Sequence, residues 1–259
     1  MPKENIIEEN RAYWTRRAPG YSRVNQLELR TESRRLWLET LEGLLRPHFP
    51  GRAPEDLAVL EVGTGPGFFA ILLAGAGYRV TAVDLTPSML AEARQNAGPL
   101  AEHIEFLEMN AEALDFGDGR FDAVISRNLT WDLPHPEAAY KEWRRVLKPG
   151  GLLLNFDANW YGYLFDPAAR AAYEADRRNT AERGMEDSNL GENFDVMEDI
   201  ARRVPLSRLR RPEWDRKILT DLGFRVETEE EIWRRVWIEE EKVNYASTPL
   251  VLVRGVREA

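Results

Sequence analysis

The apolar positions of this chain change their period along its length. From residue 57 onward, short continuous apolar runs alternate with stretches at helical spacing. The runs at 57–62, 79–83, 104–107, 121–126 and 152–156 read as buried strands, because both faces of each carry apolar side chains. Between them, helices are expected at about 67–76, 87–97 and 136–147. The second opens on Thr86-Pro87, a capping residue followed by proline at the first helical position. Strand–helix alternation of this kind predicts a mostly parallel sheet covered on both faces.

The ends depart from that rhythm. Ile6, Ile7, Tyr13 and Trp14 share a face at sevenfold spacing, which predicts a helix from 4 to about 17 closed by Ala18-Pro19-Gly20. Tyr21-Ser22-Arg23 then reads as a loop. A second helix is expected from about 27 to 46, with Leu36, Trp37, Leu41, Leu44 and Leu45 inward and Pro47 as its stop. After the fifth strand, 157–211 carries no strand signal. It holds a charged helix bracketed by Asp166-Pro167 and Gly184, and a second helical stretch from Phe194 to Arg203. A helix at about 212–222 restores the rhythm. Two β-rich runs, 224–238 and 248–256, close the chain. The short link Glu239–Ala246 carries no helix signal, which predicts an antiparallel hairpin at the sheet edge. The expected fold is thus α/β, a Rossmann-like, doubly wound, mostly parallel seven-stranded sheet with an antiparallel edge hairpin. N-terminal helices precede it and a helical insertion follows strand five. The expected organisation is 1–56 as a helical lid, 57–156 with 212–259 as the core, and 157–211 as a cap on the substrate side.

Composition narrows the chemistry. The chain has 259 residues, 43% of them apolar, enough for a sizeable core. Its net charge of −9 argues against a nucleic-acid surface, which carries a basic footprint. There is no cysteine, which excludes disulfides, zinc–thiolate sites, iron–sulfur clusters and a cysteine nucleophile. Three histidines make a histidine-rich metal site an unlikely expectation, so no metal is assigned. The polar start, Met1 to Glu8, has no secretory core, and no run approaches the 18 or so apolar residues of a membrane span. A cytoplasmic protein with no membrane or nucleic-acid partner is the expectation, and its oligomeric state is open.

The candidate chemistry centres on Val59-Leu60-Glu61-Val62-Gly63-Thr64-Gly65-Pro66-Gly67-Phe68 and on Asp84, 21 positions after Gly63. A glycine turn after a first strand, with an acid about 20 residues on, is a nucleotide-binding pattern. Glycines allow close backbone approach and the acid accepts from ribose hydroxyls. Phe68 stands where a dinucleotide fingerprint places its third glycine. Glu61 puts a carboxylate at the strand's end, which disfavours a pyrophosphate and suits a cation.

With these residues the chain resembles the class I S-adenosylmethionine-dependent methyltransferases, in the small-molecule branch of the ubiquinone/menaquinone-biosynthesis type. Glu61 to Gly67 is similar to that family's first motif, and Asp84-Leu85-Thr86-Pro87-Ser88-Met89-Leu90 to its second. Asn110-Ala111-Glu112 stands where the family usually has Asp-Ala-Glu. Phe121-Asp122-Ala123-Val124 and Arg145 to Gly151 resemble its fourth strand and the turn into the fifth. The resemblance covers roughly 57–156, with weaker support over 212–256. It implies that Gly63, Thr64 and Gly65 pass under the methionine part of the cofactor, with Glu61 near its amino group. It implies Asp84 on the ribose, Leu85 and Met89 beside the adenine, and Asn110, Ala111 and Glu112 at the adenine's polar edge. Arg127, after strand four, and Tyr21, in the N-terminal segment, are implied near the methionyl group.

The implied function is methyl transfer from S-adenosylmethionine to a small-molecule acceptor by in-line displacement, leaving S-adenosylhomocysteine. The donor is already activated, so alignment carries most of the catalysis. A base is needed only where the acceptor has a proton to lose, and Asp157, His135 and Tyr161 are the candidates. Trp131, Trp160 and Tyr163, in the loops after strands four and five, are candidate substrate contacts. Asn128-Leu129-Thr130-Trp131 does not match the Asn/Asp-Pro-Pro-Tyr of the amino-methylating enzymes of DNA and protein glutamine. Two alternatives stay open: an NAD-type oxidoreductase, and a non-catalytic S-adenosylmethionine-binding protein.

Overall fold

A computed structural model describes residues 4–187 and 194–259 of the chain. Seven strands form one sheet in the order β3-β2-β1-β4-β5-β7-β6. These are β1 (Ala58–Val62), β2 (Arg79–Asp84), β3 (Ile104–Glu108), β4 (Phe121–Arg127), β5 (Leu147–Asp157), β6 (Phe224–Glu229) and β7 (Val251–Arg257). The first five are mutually parallel; β7 runs antiparallel between β5 and β6. The expected doubly wound, mostly parallel sheet with an antiparallel edge is the observed one. The Pro149-Gly150-Gly151 turn lies within β5 as an irregularity, since the register jumps from Phe121↔Leu147 to Ala123↔Leu152.

The helices are α1 (Glu4–Arg30), α2 (Glu32–His48), α3 (Phe68–Gly75), α4 (Pro87–Ala97), α5 (Pro136–Val146), α6 (Pro167–Glu182), α7 (Phe194–Ala201), α8 (Glu213–Asp221), α9 (Trp233–Val236) and α10 (Glu239–Asn244). One core cluster joins Trp37, Leu41 and Leu45 of α2 to all the apolar residues of Phe68–Leu73 and to strand residues such as Val59, Ile125 and Phe156. The other face of the sheet buries Val62, Val124, Tyr140, Trp143 and Leu219 under α5 and α8. A smaller cluster joins Ile6 and Tyr13 of α1 to Trp131 and to Met197, Ile200 and Ala201 of α7.

Two sequence expectations are corrected. Helix α1 does not end at Pro19 but runs through it to Arg30, and the break falls at Thr31. An internal proline costs about 3 kcal/mol. Tertiary contacts of the second half of α1 offset that cost: Gln26 Nε2 donates to Asn96 Oδ1 at 2.9 Å, Asn96 Nδ2 donates to Ser22 Oγ at 3.1 Å, and Arg127 binds Glu28. At the other end, β6 stops at Glu229, and 233–244, expected as strand and link, holds α9 and α10. Ile232, Val236 and Trp237, at helical spacing, are buried against the α2 side of the core, and this contact outweighs their β propensity. Two smaller differences follow. Pro47 lies inside α2 instead of ending it, and the Thr86 hydroxyl makes no cap bond at the start of α4.

Candidate functional site

The sheet order reverses between β1 and β4, and in open α/β sheets ligands sit at that switch point beyond the carboxyl ends of the strands. A cavity of about 970 Å³, open solvent at its mouth included, lies there. The turn after β1 forms its floor. Gly63 (φ +70°), Gly65 (φ +51°) and Gly67 (φ +91°) all occupy the left-handed region. A Cβ on Gly63 would stand 2.7 Å from Leu129, and one on Gly67 would stand 3.0 Å from Ala93 of α4. Gly67 caps α3, so Phe68 begins the helix with its ring buried.

Carboxylates surround the floor. Glu61 is buried; Thr64 Oγ1 and the Ala70 N–H donate to its Oε2 at 2.6 and 2.8 Å. Burial pushes its carboxyl up to about 7. Asp84 Oδ2 accepts from the Gly65 N–H at 2.9 Å and Oδ1 from the Thr86 N–H at 2.8 Å, tying the end of β2 to the turn. Burial raises its pKa above the usual carboxylate range. Asp132, after β4, also borders the cavity, and Trp14 Nε1 of α1 donates to its Oδ2 at 2.8 Å. Burial, then the neighbouring Asp157, Asp84 and Glu112 carboxylates, push Asp132 up to about 7. Glu112 completes the set, accepting from the His135 N–H at 2.6 Å. The two cations on this cavity are already paired, Arg11 with Glu108 and Arg127 with Glu28. Four carboxylates therefore border a space with no unpaired cation among its described lining residues.

The structure brings every expected cofactor residue to this cavity: Tyr21, Glu61, Gly63, Thr64, Gly65, Asp84, Leu85, Met89, Asn110, Ala111, Glu112 and Arg127. Asn110 Oδ1 accepts from the Glu112 N–H at 2.9 Å, and the Ala111 carbonyl accepts from Trp143 Nε1 at 3.1 Å, so the 110–112 turn is held from both sides. Arg127 is less available than its position in the sequence suggests. Glu28 grips it with both oxygens, at 2.8 and 3.0 Å, and its guanidinium lies 4.5 Å from the Phe68 ring centre. Burial works against its charge, but Glu28 more than compensates and raises its pKa.

A second cavity, of about 1030 Å³, shares the wall formed by Trp14, Tyr21, Arg127 and Asn128. Trp131, Trp160 and Tyr163, the expected substrate contacts, all line it. Two runs of rings border it. In one, Trp131 stacks on Tyr161 (4.8 Å between centres), Tyr161 adjoins Tyr163 at 5.8 Å, and Tyr163 stacks on Tyr173 at 4.1 Å. In the other, Trp160 meets Tyr245 edge-on at 5.3 Å and Tyr245 lies 5.7 Å from Trp237.

The three candidate bases fare differently. Asp157 is fully buried and lines neither cavity. Thr130 Oγ1, the Trp131 and Ala158 N–H groups and Trp160 Nε1 all donate to it, and the Arg211 guanidinium lies 2.8 Å away. A carboxylate so saturated has no lone pair left for an acceptor proton; it orients Trp131 and Trp160 instead. His135 also lines neither cavity. It begins α5, and its ring Nδ1 is 2.9 Å from Glu112. Tyr161 does line the second cavity, but burial raises its pKa well above 10, which keeps the phenol protonated and unfit as a base at neutral pH. Asp132 was missed. It sat unremarked in the loop after strand four, and the signal for it is the Trp14 donor 118 residues away, which no local pattern exposes. Glu241, Tyr245 and Trp237 were missed because their segment read as a hairpin; the helical spacing of Trp233, Val236 and Trp237 was the available sign.

A sheet of this order, with a glycine turn and an acid at its switch point, defines the class that the chain resembles, the class I S-adenosylmethionine-dependent methyltransferases. Residues 60–155 match the family described as "Methyltransferase domain". The branch it resembles is that of the ubiquinone/menaquinone biosynthesis C-methyltransferases. The protein of that name from Nitrobacter hamburgensis is 35% identical over 142 residues, which cover 53% of this chain and 54% of the relative. The one from Bartonella tribocorum is 33% identical over 159 residues, covering 58% and 59%. The chain thus spans about half the length of the curated relatives it matches. Among solved structures, a putative methyltransferase in complex with the Haloferax volcanii Trm112 methyltransferase activator superposes with a TM-score of 0.61 at 19% identity, covering 95% of this chain and 98% of that one. Geranyl diphosphate C-methyltransferase from Streptomyces coelicolor A3(2) gives 0.56 at 16%, covering 85% and 78%. At those identities the superpositions speak for the fold. No helix among the described residues is long and apolar enough to cross a membrane.

Proposed function

We propose that this chain transfers a methyl group from S-adenosylmethionine to a small-molecule acceptor, with the donor in the switch-point cavity and the acceptor in the aromatic one. The observation that carries the reading is the set Glu61, Asp84, Glu112 and Asp132 around the glycine turn without an unpaired cation. S-adenosylmethionine fits this charge, because it bears an ammonium and a sulfonium and no phosphate. A pyrophosphate would face uncompensated repulsion there, which counts against a dinucleotide oxidoreductase. The buried oxygens Asn10 Oδ1 and Asn128 Oδ1, both on lining residues, have no partner among the described residues and can accept from the cofactor's N–H or hydroxyl groups.

When bound, the cofactor supplies a methyl carbon already activated by the sulfonium. The chain's part is placement. Gly63 and Gly65 leave the floor free of side chains, Asp84 takes the ribose hydroxyls, and Leu85 and Met89 flank the base. Glu61, whose Oε1 takes no protein donor, faces the amino group. Helix α1 closes the cavity as a lid through Asn10 and Trp14, both held to Asp132, and 157–211 serves as the cap over the acceptor. Asp132 is the carboxylate placed to hold positive charge on the sulfonium side or to take a proton. With a pKa near 7 it can do either. A cytoplasmic location accords with the lack of a spanning helix.

Calorimetry with S-adenosylhomocysteine is the first test: a single site of micromolar affinity is expected. The second is transfer of isotopic methyl from labelled cofactor into the small-molecule fraction of a metabolite extract. No binding sinks the whole reading. Binding with no transfer to any fraction leaves a non-catalytic cofactor-binding protein.

A further inference from the structure

The aromatic cavity carries a charge that the methyl-transfer reading leaves unused. Among the described residues, three carboxylate or guanidinium groups line it: Glu28, Arg127 and Glu241. Glu28 and Arg127 neutralise each other through two hydrogen bonds. Glu241, on α10, has no cation within ion-pair distance among the described residues. Its Oε2 accepts from the Ile238 N–H at 2.9 Å at the start of α10, and its other oxygen has no donor among the described residues. A glutamate in the first turn of a helix is ordinarily a solvated surface group; this one is half-buried at a chamber wall, and burial pushes its carboxyl up to about 7. Once Glu241 ionises, the wall holds two carboxylates against one guanidinium, a net charge of −1. Much of the remaining wall is aromatic, with Trp131, Tyr161, Tyr163, Trp160, Tyr245 and Trp237 beside the neutral Asn128, Asn244 and Thr248.

Aromatic faces and a half-buried carboxylate without an ion-pair partner are complementary to one kind of ligand. Ring quadrupoles attract a desolvated organic cation held over their faces. A buried carboxylate is left at a cost unless a cation meets it. We propose that the aromatic cavity binds a protonated organic amine on an apolar body, with Glu241 as the counter-ion, and that the methyl acceptor belongs to this class. A neutral planar ring would use the stacking surfaces but leave Glu241 unpaired. A phosphorylated or carboxylated acceptor would meet its charge. The acceptor assignment rests on the switch-point cavity being the donor site; the amine preference does not.

The test uses phenethylamine and its neutral isostere 2-phenylethanol, titrated against the full-length protein at pH 7.5 by tryptophan fluorescence, with and without saturating S-adenosylhomocysteine. At least tenfold tighter binding of the amine is expected. Glu241→Gln keeps the acceptor for the Ile238 N–H and should abolish that preference while 2-phenylethanol binding stays within twofold. Trp131→Ala should weaken both ligands. Equal affinities in the wild-type protein, or a preference that survives Glu241→Gln, overturns the proposal. S-adenosylhomocysteine binding by Glu241→Gln is measured alongside. If the cofactor does not bind the wild-type protein but the amine preference is present, the donor reading fails and the amine site stands.

Discussion

Asp84→Ala puts the assignment of the switch-point cavity at risk. The carboxylate accepts two backbone N–H bonds, from Gly65 at 2.9 Å and Thr86 at 2.8 Å, and each of its oxygens keeps capacity for a further donor. Truncation therefore has two effects. On the fold, two backbone donors lose a charged acceptor, at roughly 1.5–3 kcal/mol for each such bond. Removing a carboxylate that burial already disfavours returns part of this, so a net loss of about 1–3 kcal/mol is expected. On binding, ribose hydroxyls that lose their acceptor lose about 1–3 kcal/mol, which is roughly a 5- to 150-fold rise in Kd. Asp84→Asn keeps one acceptor oxygen but turns an amide N–H₂ toward a backbone N–H, and should fall between wild type and alanine. Calorimetry with S-adenosylhomocysteine reads the binding effect, and thermal melts separate it from unfolding. A cooperative melt for Asp84→Ala with Kd within twofold of wild type would refute the ribose assignment and with it the orientation of the cofactor.

The raised carboxyls set a pH dependence whose sign can be worked out. Glu61 titrates near 7 in the folded chain against 4.5 unfolded, so the native state binds more protons and stability falls as pH rises from about 4.5 to about 7, then levels. The shift corresponds to at most about 3 kcal/mol; Glu61→Gln should flatten that part of the apo melting profile, and an unchanged slope contradicts the buried-acid account. Gly63→Ala forces a left-handed alanine and a Cβ 2.7 Å from Leu129, so it should lower stability by about 2 kcal/mol and weaken S-adenosylhomocysteine binding more than tenfold; a wild-type melt and Kd would show the turn is not tight. Glu28→Gln leaves Arg127 unpaired at 11% exposure and should cost about 3–5 kcal/mol in denaturant unfolding, of which Glu28→Gln/Arg127→Met regains most. If the double variant is no better than the single, the pair is not the unit that matters.

The switch-point cavity was readable from the chain because its parts are local. A strand, a glycine turn and an acid at the end of the next strand are each defined within a few residues, and parallel pairing of β1 with β2 brings Gly63 and Asp84 together without further information. Of the aromatic cavity, Trp131, Trp160 and Tyr163 were readable as ring-bearing loop residues, but the state of the acids after strands four and five was not. Asp157 looked like a free acid at a strand end, yet four protein donors and Arg211, 54 positions later, occupy it. Asp132 looked ordinary until α1 laid Trp14 over it. Pro19 looked like a helix stop, and would be one in an isolated segment.

Hydrophobic period and turn chemistry by themselves determined the five parallel strands, the helices between them and the glycine turn, since both faces of each strand are apolar; the order of the strands came with the tertiary structure. Tertiary structure alone decided which buried groups are paired and which are not. Arg127 is neutralised by Glu28 from α1 and Asp157 by Arg211, whereas Glu241 has no ion-pair partner among the described residues and feels Arg127 only at longer range. Pairing depends on distances between segments far apart in the chain, and in a medium of low dielectric those distances fix whether a carboxylate braces the fold or waits for a ligand.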